Sequence, residues 1–292
     1  MEENRFYFPH KILPYLLTVP QLIIVFIFIL YPTFESFRLS LFMADPFGRV
    51  DIFVGLENYI DLFTSAEFFQ SLRATFIFSF SVTFIGMAGG LVISILLNQK
   101  IKGLGIFRTG MILPYALSPA VVGALWMFLF HPSYGILTYV TPIRLQYLTN
   151  RRHAMILLVL AAAWRFLGFN IAFYLAGLQN IPQSYLEAAS IDGAGSFQRF
   201  RKVIFPLLTP TTFFLLTMNL VYSFYRIFGL IHTVTKGGPG GSTNVLVFKA
   251  YRDGVTHLMP GFSAAQSVIL FFIAVSLVFL QFKYVQRGVH YG

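Results

Sequence analysis

Of the 292 residues in this chain, 57% are hydrophobic and only 11% are charged, against about 25% charged residues in ordinary globular proteins, so the composition indicates a membrane protein. The absence of cysteine from the sequence excludes disulfides, thiolate nucleophiles and cysteine-bound metals. The formal net charge of +10 does not indicate nucleic-acid binding, because the basic residues are scattered among short loops and form no basic helix or aromatic platform.

Six continuous apolar stretches are long enough to cross a membrane. A helix rises about 1.5 Å per residue, so about 20 apolar residues cover the roughly 30 Å of hydrocarbon. Continuous apolar runs favour helices over a β-barrel, whose strands alternate between apolar and polar residues. The first stretch is too long for a secretory signal, and we expect it to be an uncleaved span. The six predicted spans cover roughly residues 13–31, 74–97, 109–130, 154–178, 207–225 and 263–282.

The loop after the first span, from about Thr33 to Ser71, is rich in acidic and aromatic residues. A Pro46-Phe47-Gly48 turn interrupts it. Its length favours short helices that cover the outer mouth of the bundle.

Polar residues in the third and fourth spans are candidates for a substrate pathway. Pro114 and Pro119 are expected to loosen the third span and to free backbone carbonyls near Tyr115 and Ser118. Arg165 lies in the middle of the fourth span, where a charge costs about 2.5–3.5 kcal/mol on insertion scales. It should therefore face the bundle interior, where its partner is either an anionic substrate or a neighbouring subunit that it anchors.

Three residues of the fifth span, Asn219, Tyr222 and Arg226, fall on one helical face. Together they predict a polar stripe that leads inward from the outer surface. Because Arg226 lies near the outer end of the span, the alternative is that it simply extends to water.

A charged segment, residues 179–206, separates the fourth and fifth spans. Pro182 suits the first turn of a helix, and Gly193 suits the turn that follows its end. Ser196 is expected to cap the next helix, which Pro206 ends. One interpretation of this segment is an amphipathic connector that lies on the membrane; the other is a binding surface for a partner.

The last outer loop contains Lys236-Gly237-Gly238-Pro239-Gly240-Gly241, which resembles a phosphate-binding loop in composition. It lacks the Gly-Lys-Ser/Thr ending and follows no predicted strand, so we expect a flexible turn and no ATP site. His131, His153 and His257 lack metal-ligand spacing, and no metal site is expected.

The charged segment carries a resemblance to a known family. Glu187-Ala188-Ala189, three residues, Gly193, nine residues and Val203-Ile204-Phe205-Pro206 resemble the loop by which permeases of ABC importers bind their ATPase subunit. Nearly the whole chain is similar to the carbohydrate-uptake type of these permeases. Further matching segments are Leu13-Pro14-Tyr15-Leu16-Leu17, Asp45-Pro46-Phe47-Gly48, Leu113-Pro114-Tyr115-Ala116, Asn219-Leu220-Val221-Tyr222, Ser263-Ala264-Ala265-Gln266 and Val289-His290-Tyr291.

This resemblance implies an all-α integral membrane protein with the type I ABC importer permease fold, one domain of six transmembrane helices over residues 1–292. It implies a pore-forming subunit in the bacterial inner membrane, not an enzyme, with both termini cytoplasmic. The implied partners are a second homologous permease subunit, a homodimeric ABC ATPase that binds ATP and Mg²⁺, a periplasmic substrate-binding protein and membrane lipid. This chain itself would hold no cofactor. The residues implied to couple it to the ATPase are Glu187, Ala188, Ala189, Asp192 and Gly193.

Within the family, the chain is most similar to permeases of the glycerol phosphate type. That similarity implies transport of sn-glycerol-3-phosphate or glycerophosphodiesters by alternating access. Such relatives usually have lysine at the position of Arg165 and tend to have an acidic residue at that of Arg226. A neutral sugar or oligosaccharide is the alternative cargo. A stand-alone secondary transporter is disfavoured, because the sequence has no hydropathy repeat and few intramembrane acids.

Overall fold

The computed structural model describes residues 12–44, 50–99, 103–141 and 144–284, and most of these residues are helical. The helices, in chain order, are α1 (Leu13–Leu39), α2 (Glu57–Thr64), α3 (Ala66–Leu97), α4 (Leu104–Ala116), α5 (Pro119–Leu129), α6 (Ile136–Val140), α7 (Arg151–Gln179), α8 (Gln183–Ile191), α9 (Ser196–Leu207), α10 (Thr209–Tyr225), α11 (Phe228–Val234), α12 (Leu246–Tyr251) and α13 (Pro260–Tyr284). Two short strands, β1 (Phe42–Ala44) and β2 (Val50–Phe53), pair antiparallel. The predicted helical fold class is confirmed.

Four helices in the described part of the chain, α1, α3, α7 and α13, are each long and apolar enough to cross a membrane. Two further pairs reach that length only when their halves are combined. The axis bends by 105° between α4 and α5 and by 66° between α9 and α10. If each bent pair is counted as one span, the described part of the chain has six candidate membrane spans.

Prolines produce the break between α4 and α5. Pro114 lacks a backbone N–H and lies in the tightened last turn of α4, and Leu117 beyond it is extended, with ψ of 143°. Ser118 then accepts a hydrogen bond from the Val121 N–H at 3.3 Å and caps α5, which begins at Pro119. The Leu117 carbonyl is therefore released from the helical ladder.

The bundle is built around α7, whose most apolar window is 61% buried. Its most extensive neighbour is α3, and small residues bring the two helices close together. A Cβ atom built on Gly90 of α3 would lie 2.5 Å from Cβ of Asn170 in α7. Helices in lipid gain little from burying apolar surface, so such close packing is a main source of their association.

In contrast to α7, helix α1 has no buried residue in its most apolar window. Its side chains, including Leu22, Ile24 and Phe28, are exposed around the helix. Within the described chain α1 is joined to the bundle only near its end, where Phe37 packs edge-on against Phe271 and Phe272 of α13. Lipid or another subunit must cover the remaining apolar surface of α1.

The loop between the first two spans contains the β1–β2 hairpin as well as α2. The short helix agrees with the prediction for this loop, whereas the hairpin was not predicted. Asn58 in α2 holds the hairpin in place, because its Nδ2 donates hydrogen bonds to the Ser40 and Phe42 carbonyls at 2.9 and 3.0 Å. The predicted Pro46-Phe47-Gly48 turn lies outside the described residues.

Candidate functional site

Arg165 lies halfway along α7 and reaches the break between α4 and α5. Its Nε donates a hydrogen bond of 2.8 Å to the Leu117 carbonyl that the break releases. Its guanidinium carbon also lies 5.2 Å from the centre of the Tyr115 ring, a cation–π distance. A carbonyl and an aromatic face thus reduce the cost of a charge within the bundle, and in the described part of the chain only Nε of the guanidinium donates a hydrogen bond.

A second guanidinium lies beside the same cleft. Arg226 follows the last turn of α10, is exposed, and packs over the Tyr222 ring at 4.9 Å. Arg165 and Arg226 both line a cavity of about 10 Å³ between α5, α7 and the α10–α11 turn, about the room of one water molecule. Among the described residues, no carboxylate lies within 4 Å of either guanidinium. The cleft therefore has positive charge without a resident counter-ion.

Aromatic rings form the wall beneath these two cations. Phe169 of α7 lies between Tyr115 and Tyr222, with ring centres 5.1 and 5.8 Å away. The sequence identified both tyrosines as pathway candidates but missed Phe169, because one more phenylalanine in an apolar helix carries no distinguishing signal. The structure brings four predicted pathway residues together here: Tyr115, Arg165, Tyr222 and Arg226.

Asn219 does not share this cleft. It is fully buried and exchanges hydrogen bonds with Asn170, whose Nδ2 donates to Asn219 Oδ1 at 3.1 Å and whose Oδ1 accepts from Asn219 Nδ2 at 2.8 Å. Each amide also donates to a carbonyl one turn back in its own helix. With these bonds Asn219 joins α10 to α7 and has no donor left for a passing substrate. Ser118 is exposed, and its hydroxyl caps α5.

The charged segment forms a short helical hairpin, α8 and α9. Helix α8 ends in a Schellman motif, in which the Ala194 N–H donates to the Ala189 carbonyl at 2.9 Å and the Gly193 N–H donates to the Ser190 carbonyl at 3.1 Å. Gly193 has φ of +77°, a conformation that glycine adopts at least cost. The chain therefore turns sharply just after the Glu-Ala-Ala sequence.

The five predicted coupling residues do not all face outward. Glu187, Ala188, Asp192 and Gly193 are exposed, but Ala189 is only 9% exposed and packs inside the chain. Apolar side chains beside them are exposed as well, including Ile191 at 87% and Phe197 at 75%. Because α8 and α9 are short and mostly exposed, these side chains form a projecting surface with both apolar and acidic groups.

The prediction that Ser196 caps α9 is wrong. Gly195 occupies the capping position in an extended conformation, and the Ser196 side chain caps no backbone N–H. Arg199 instead links the two helices of the hairpin, because its Nη1 donates to Ser190 Oγ of α8 at 2.8 Å. Its Nη2 donates to Ser196 Oγ within α9 at 3.4 Å.

No group of three or more potential metal ligands occurs among the described residues. Two of the histidines contact neighbouring backbone: His131 Nδ1 accepts from the Ser133 N–H, and His153 Nδ1, in the first turn of α7, accepts from the Gln146 N–H.

A projecting hairpin, bent spans and a polar cleft are features expected of a membrane-embedded transporter subunit. Comparison with known proteins assigns the class of this subunit. Residues 83–291 match the family model described as the binding-protein-dependent transport system inner membrane component, and the chain belongs to this family. It is therefore an ABC permease, the membrane component of a transport system and not an enzyme.

Curated relatives match the chain over nearly its full length. The sn-glycerol-3-phosphate transport system permease protein UgpA of Agrobacterium fabrum is 46% identical, over 98% of this chain and 98% of the relative. UgpA of Rhizobium meliloti is 45% identical over 99% and 100%, and UgpA of Yersinia enterocolitica is 42% identical over the full length of both.

Solved structures share the fold. A bacterial ABC transporter for the acidic polysaccharide alginate has a chain with a TM-score of 0.80, at 21% identity, over 94% of this chain and 95% of that one. A chain of a bacterial alginate ABC transporter in complex with alginate pentasaccharide-bound periplasmic protein has a TM-score of 0.81 at 21% identity, over 96% of both chains.

Proposed function

We propose that this chain is the permease subunit of an ATP-driven importer that carries sn-glycerol-3-phosphate, or glycerophosphodiesters, across the inner membrane by alternating access. The observation that carries the proposal is the pair Arg165 and Arg226, which line one cleft without a carboxylate within 4 Å among the described residues. Relatives that are 42–46% identical over nearly their full length and are named for this substrate support the same cargo.

The chemistry of the cleft suits a phosphate group. A phosphate monoester carries about −1.5 to −2 charges at neutral pH, and guanidinium groups bind its oxygens through paired, charge-assisted hydrogen bonds. Arg165 donates to Leu117 through Nε, and its two terminal nitrogens bond to no described residue, so they are available to such an anion. The aromatic wall of Tyr115, Phe169 and Tyr222 would then contact the glycerol portion.

A neutral sugar is the second candidate cargo, and the same aromatic wall favours it. The Phe169 ring lies within 6 Å of both the Tyr115 and the Tyr222 ring, and the three form a surface on which an apolar sugar face could pack. Such a cargo would leave both guanidiniums without a countercharge, which makes it the weaker of the two candidates.

We further propose that the α8–α9 hairpin receives force from a separate homodimeric ATPase, on which ATP and Mg²⁺ bind. Glu187 and Asp192 are exposed and have no ion-pair partner in the described chain, so they are available to basic groups of that subunit. Ile191 and Phe197 supply apolar contacts, and Ala189 supports the hairpin from within. ATP-driven closure of the ATPase would move this rigid hairpin and, through it, α7 and α10.

The remaining partners follow from this assignment. They are a second permease, an ATPase and a periplasmic binding protein of the UgpE, UgpC and UgpB types. The ATPase is cytoplasmic, so the hairpin and both termini would lie in the cytoplasm.

The cargo is tested with the reconstituted transporter and its binding protein. We expect uptake of sn-glycerol-3-phosphate and substrate-stimulated ATP hydrolysis, and neither with maltose. In Arg165→Gln the loss of a charge-assisted hydrogen bond, about 1.5–3 kcal/mol, should lower the uptake rate by about 10- to 100-fold.

Arg165→Lys is the matched control, because it keeps the charge, and it should retain more uptake than Arg165→Gln. Equal uptake by the wild type and both variants would remove Arg165 from the pathway. Stimulation by maltose alone would replace the anionic cargo with the neutral one.

A further inference from the structure

We propose that three arginines at the end of the bundle opposite the α8–α9 hairpin form a site for the phosphate of an anionic phospholipid. Arg73 of α3 and Arg151 and Arg152 of α7 line one pocket of about 520 Å³. Among the described residues, none of the three side chains has a carboxylate within 4 Å. Three cations so close together require an anion from outside the chain or strong hydration.

The pocket has a polar end made by the glycine loop before α12. Gln70 Nε2 donates a hydrogen bond of 2.8 Å to the Gly240 carbonyl, which fixes the loop against α3. Gly240 has φ of +56°, and a Cβ built there would lie 2.7 Å from Arg151 Nη2, so the guanidinium lies directly against this glycine. Ser242 also lines the pocket, and its hydroxyl oxygen is buried without a hydrogen-bond partner in the described chain. Rotated toward the pocket, this hydroxyl would donate to a phosphate oxygen.

The other end of the pocket is apolar and continues along the bundle. Ile77 and Ile156 line it, one from α3 and one from α7. Farther along the same two helices, Phe80 and Leu160 are also exposed, at 49% and 37%. A groove with cations at the end of the spans and apolar side chains toward their middle has the polarity of a phospholipid, with the head group at the arginines and an acyl chain below.

This polarity distinguishes a lipid from other anions. Free phosphate would use the arginines and Ser242 but would leave the apolar half of the pocket empty. An acidic protein surface could contact the three arginines, which are exposed, but it would not fill the apolar groove that continues into the membrane-spanning part of α3 and α7. The N-terminus of α7 next to Arg151 adds a favourable dipole for negative charge.

The site is tested in the assembled transporter, placed in nanodiscs of phosphatidylcholine with increasing phosphatidylglycerol. Native mass spectrometry then measures which lipid stays bound. The pocket variant is Arg73→Gln with Arg152→Gln, which leaves Arg151 and its contact with Gly240 intact. Each basic residue near a membrane surface contributes about fivefold to binding of anionic lipid, so we expect the preference for phosphatidylglycerol to fall about 30-fold.

The matched control is Arg144→Gln with Lys236→Gln, which removes two exposed charges from outside the pocket. The control should keep the wild-type preference. An equal preference for phosphatidylglycerol in the pocket variant and the control variant would overturn the proposal. Displacement of the bound lipid by millimolar inorganic phosphate would also overturn it. So would a pocket variant that loses affinity for the binding protein while its bound lipid is unchanged. If the pocket variant fails to assemble, Arg73→Lys with Arg152→Lys should assemble and keep the preference. A wild-type transporter with no preference for phosphatidylglycerol overturns the site without any variant.

Discussion

Several polar side chains inside this bundle are paired with the backbone or with each other. Arg165 is bonded to a carbonyl freed by a helix break, and Asn170 and Asn219 satisfy one another. In another part of the bundle, Gln266 Nε2 of α13 donates to Asp253 Oδ2, just after α12, at 2.7 Å. Because hydrocarbon offers no hydrogen bonds, each such pair fixes the relative position of two segments more firmly than it would in water.

The asparagine pair gives a measurable prediction. In a double-mutant cycle with Asn170→Ala and Asn219→Ala, we expect a coupling energy of about 0.6–2 kcal/mol, the range found for hydrogen bonds between membrane helices. Unfolding of the purified subunit in mixed micelles with increasing sodium dodecyl sulfate measures it.

The control cycle combines Asn170→Ala with Ser223→Ala. Ser223 is buried on α10, but its hydroxyl donates only to the Leu220 carbonyl of the same helix. This cycle should be additive within about 0.5 kcal/mol. Additivity in the first cycle as well would contradict a stabilising role for the pair.

Among the elements, the helix breaks contribute as much as the long helices to the positions of the cleft and the α8–α9 hairpin. The 105° bend after α4 exposes the carbonyl that receives Arg165, and the Schellman turn after α8 sets the direction of α9. In both places a proline or a glycine supplies a local reason for the helix to end. The site and the hairpin are thus positioned by short sequences at helix ends.

The turn at Gly193 can be tested by conformation alone. No atom lies within 4 Å of a Cβ built there, so a side chain meets no clash and the cost comes from φ of +77°. Asparagine adopts this region more readily than other non-glycine residues, whereas a β-branched residue is strained. Gly193→Val should therefore reduce substrate-stimulated ATP hydrolysis strongly, with normal membrane insertion, and Gly193→Asn should reduce it less. Equal activity in the two variants would show that the turn geometry does not matter for coupling.

Local patterns in the sequence predicted what depends on local chemistry. Hydropathy predicts apolar helices because the bilayer dictates their length, and Pro114 and Pro119 mark the region where the third span breaks. Pairing of Asn170 with Asn219 could not be predicted, since it depends on how α7 and α10 are aligned. The inward face of Ala189 and the β1–β2 hairpin likewise depend on tertiary packing. The roles of the pathway and coupling residues remain predictions.

At the scale of the whole molecule, the hairpin and the arginine pocket lie at opposite ends of α7. The hairpin follows the C-terminal end of α7 at Gln179, and the pocket lies at its N-terminal end at Arg151. A helix of 29 residues spans about 43 Å, more than the hydrocarbon thickness, so the two surfaces face different sides of the membrane.

The orientation follows from the proposed cytoplasmic ATPase and can be measured directly, because the chain has no native cysteine. Gln198→Cys in α9 and Asp61→Cys in α2 each place one thiol at an exposed position. An impermeant maleimide should label Asp61→Cys in intact spheroplasts and Gln198→Cys only after permeabilisation. Labelling of Gln198→Cys in intact spheroplasts would place the hairpin outside and end its assignment to an ATPase.

The exposed apolar surface of helix α1 has a consequence for the production of this subunit in cells. Most of this helix is uncovered within the described chain, so a newly made copy would hold a loosely attached apolar segment until the other subunits bind. Membrane quality-control proteases act on such loosely held segments. The amount of this subunit that accumulates would therefore depend on synthesis of the other transporter subunits in matching amounts. A stronger promoter for this subunit alone would not raise its level.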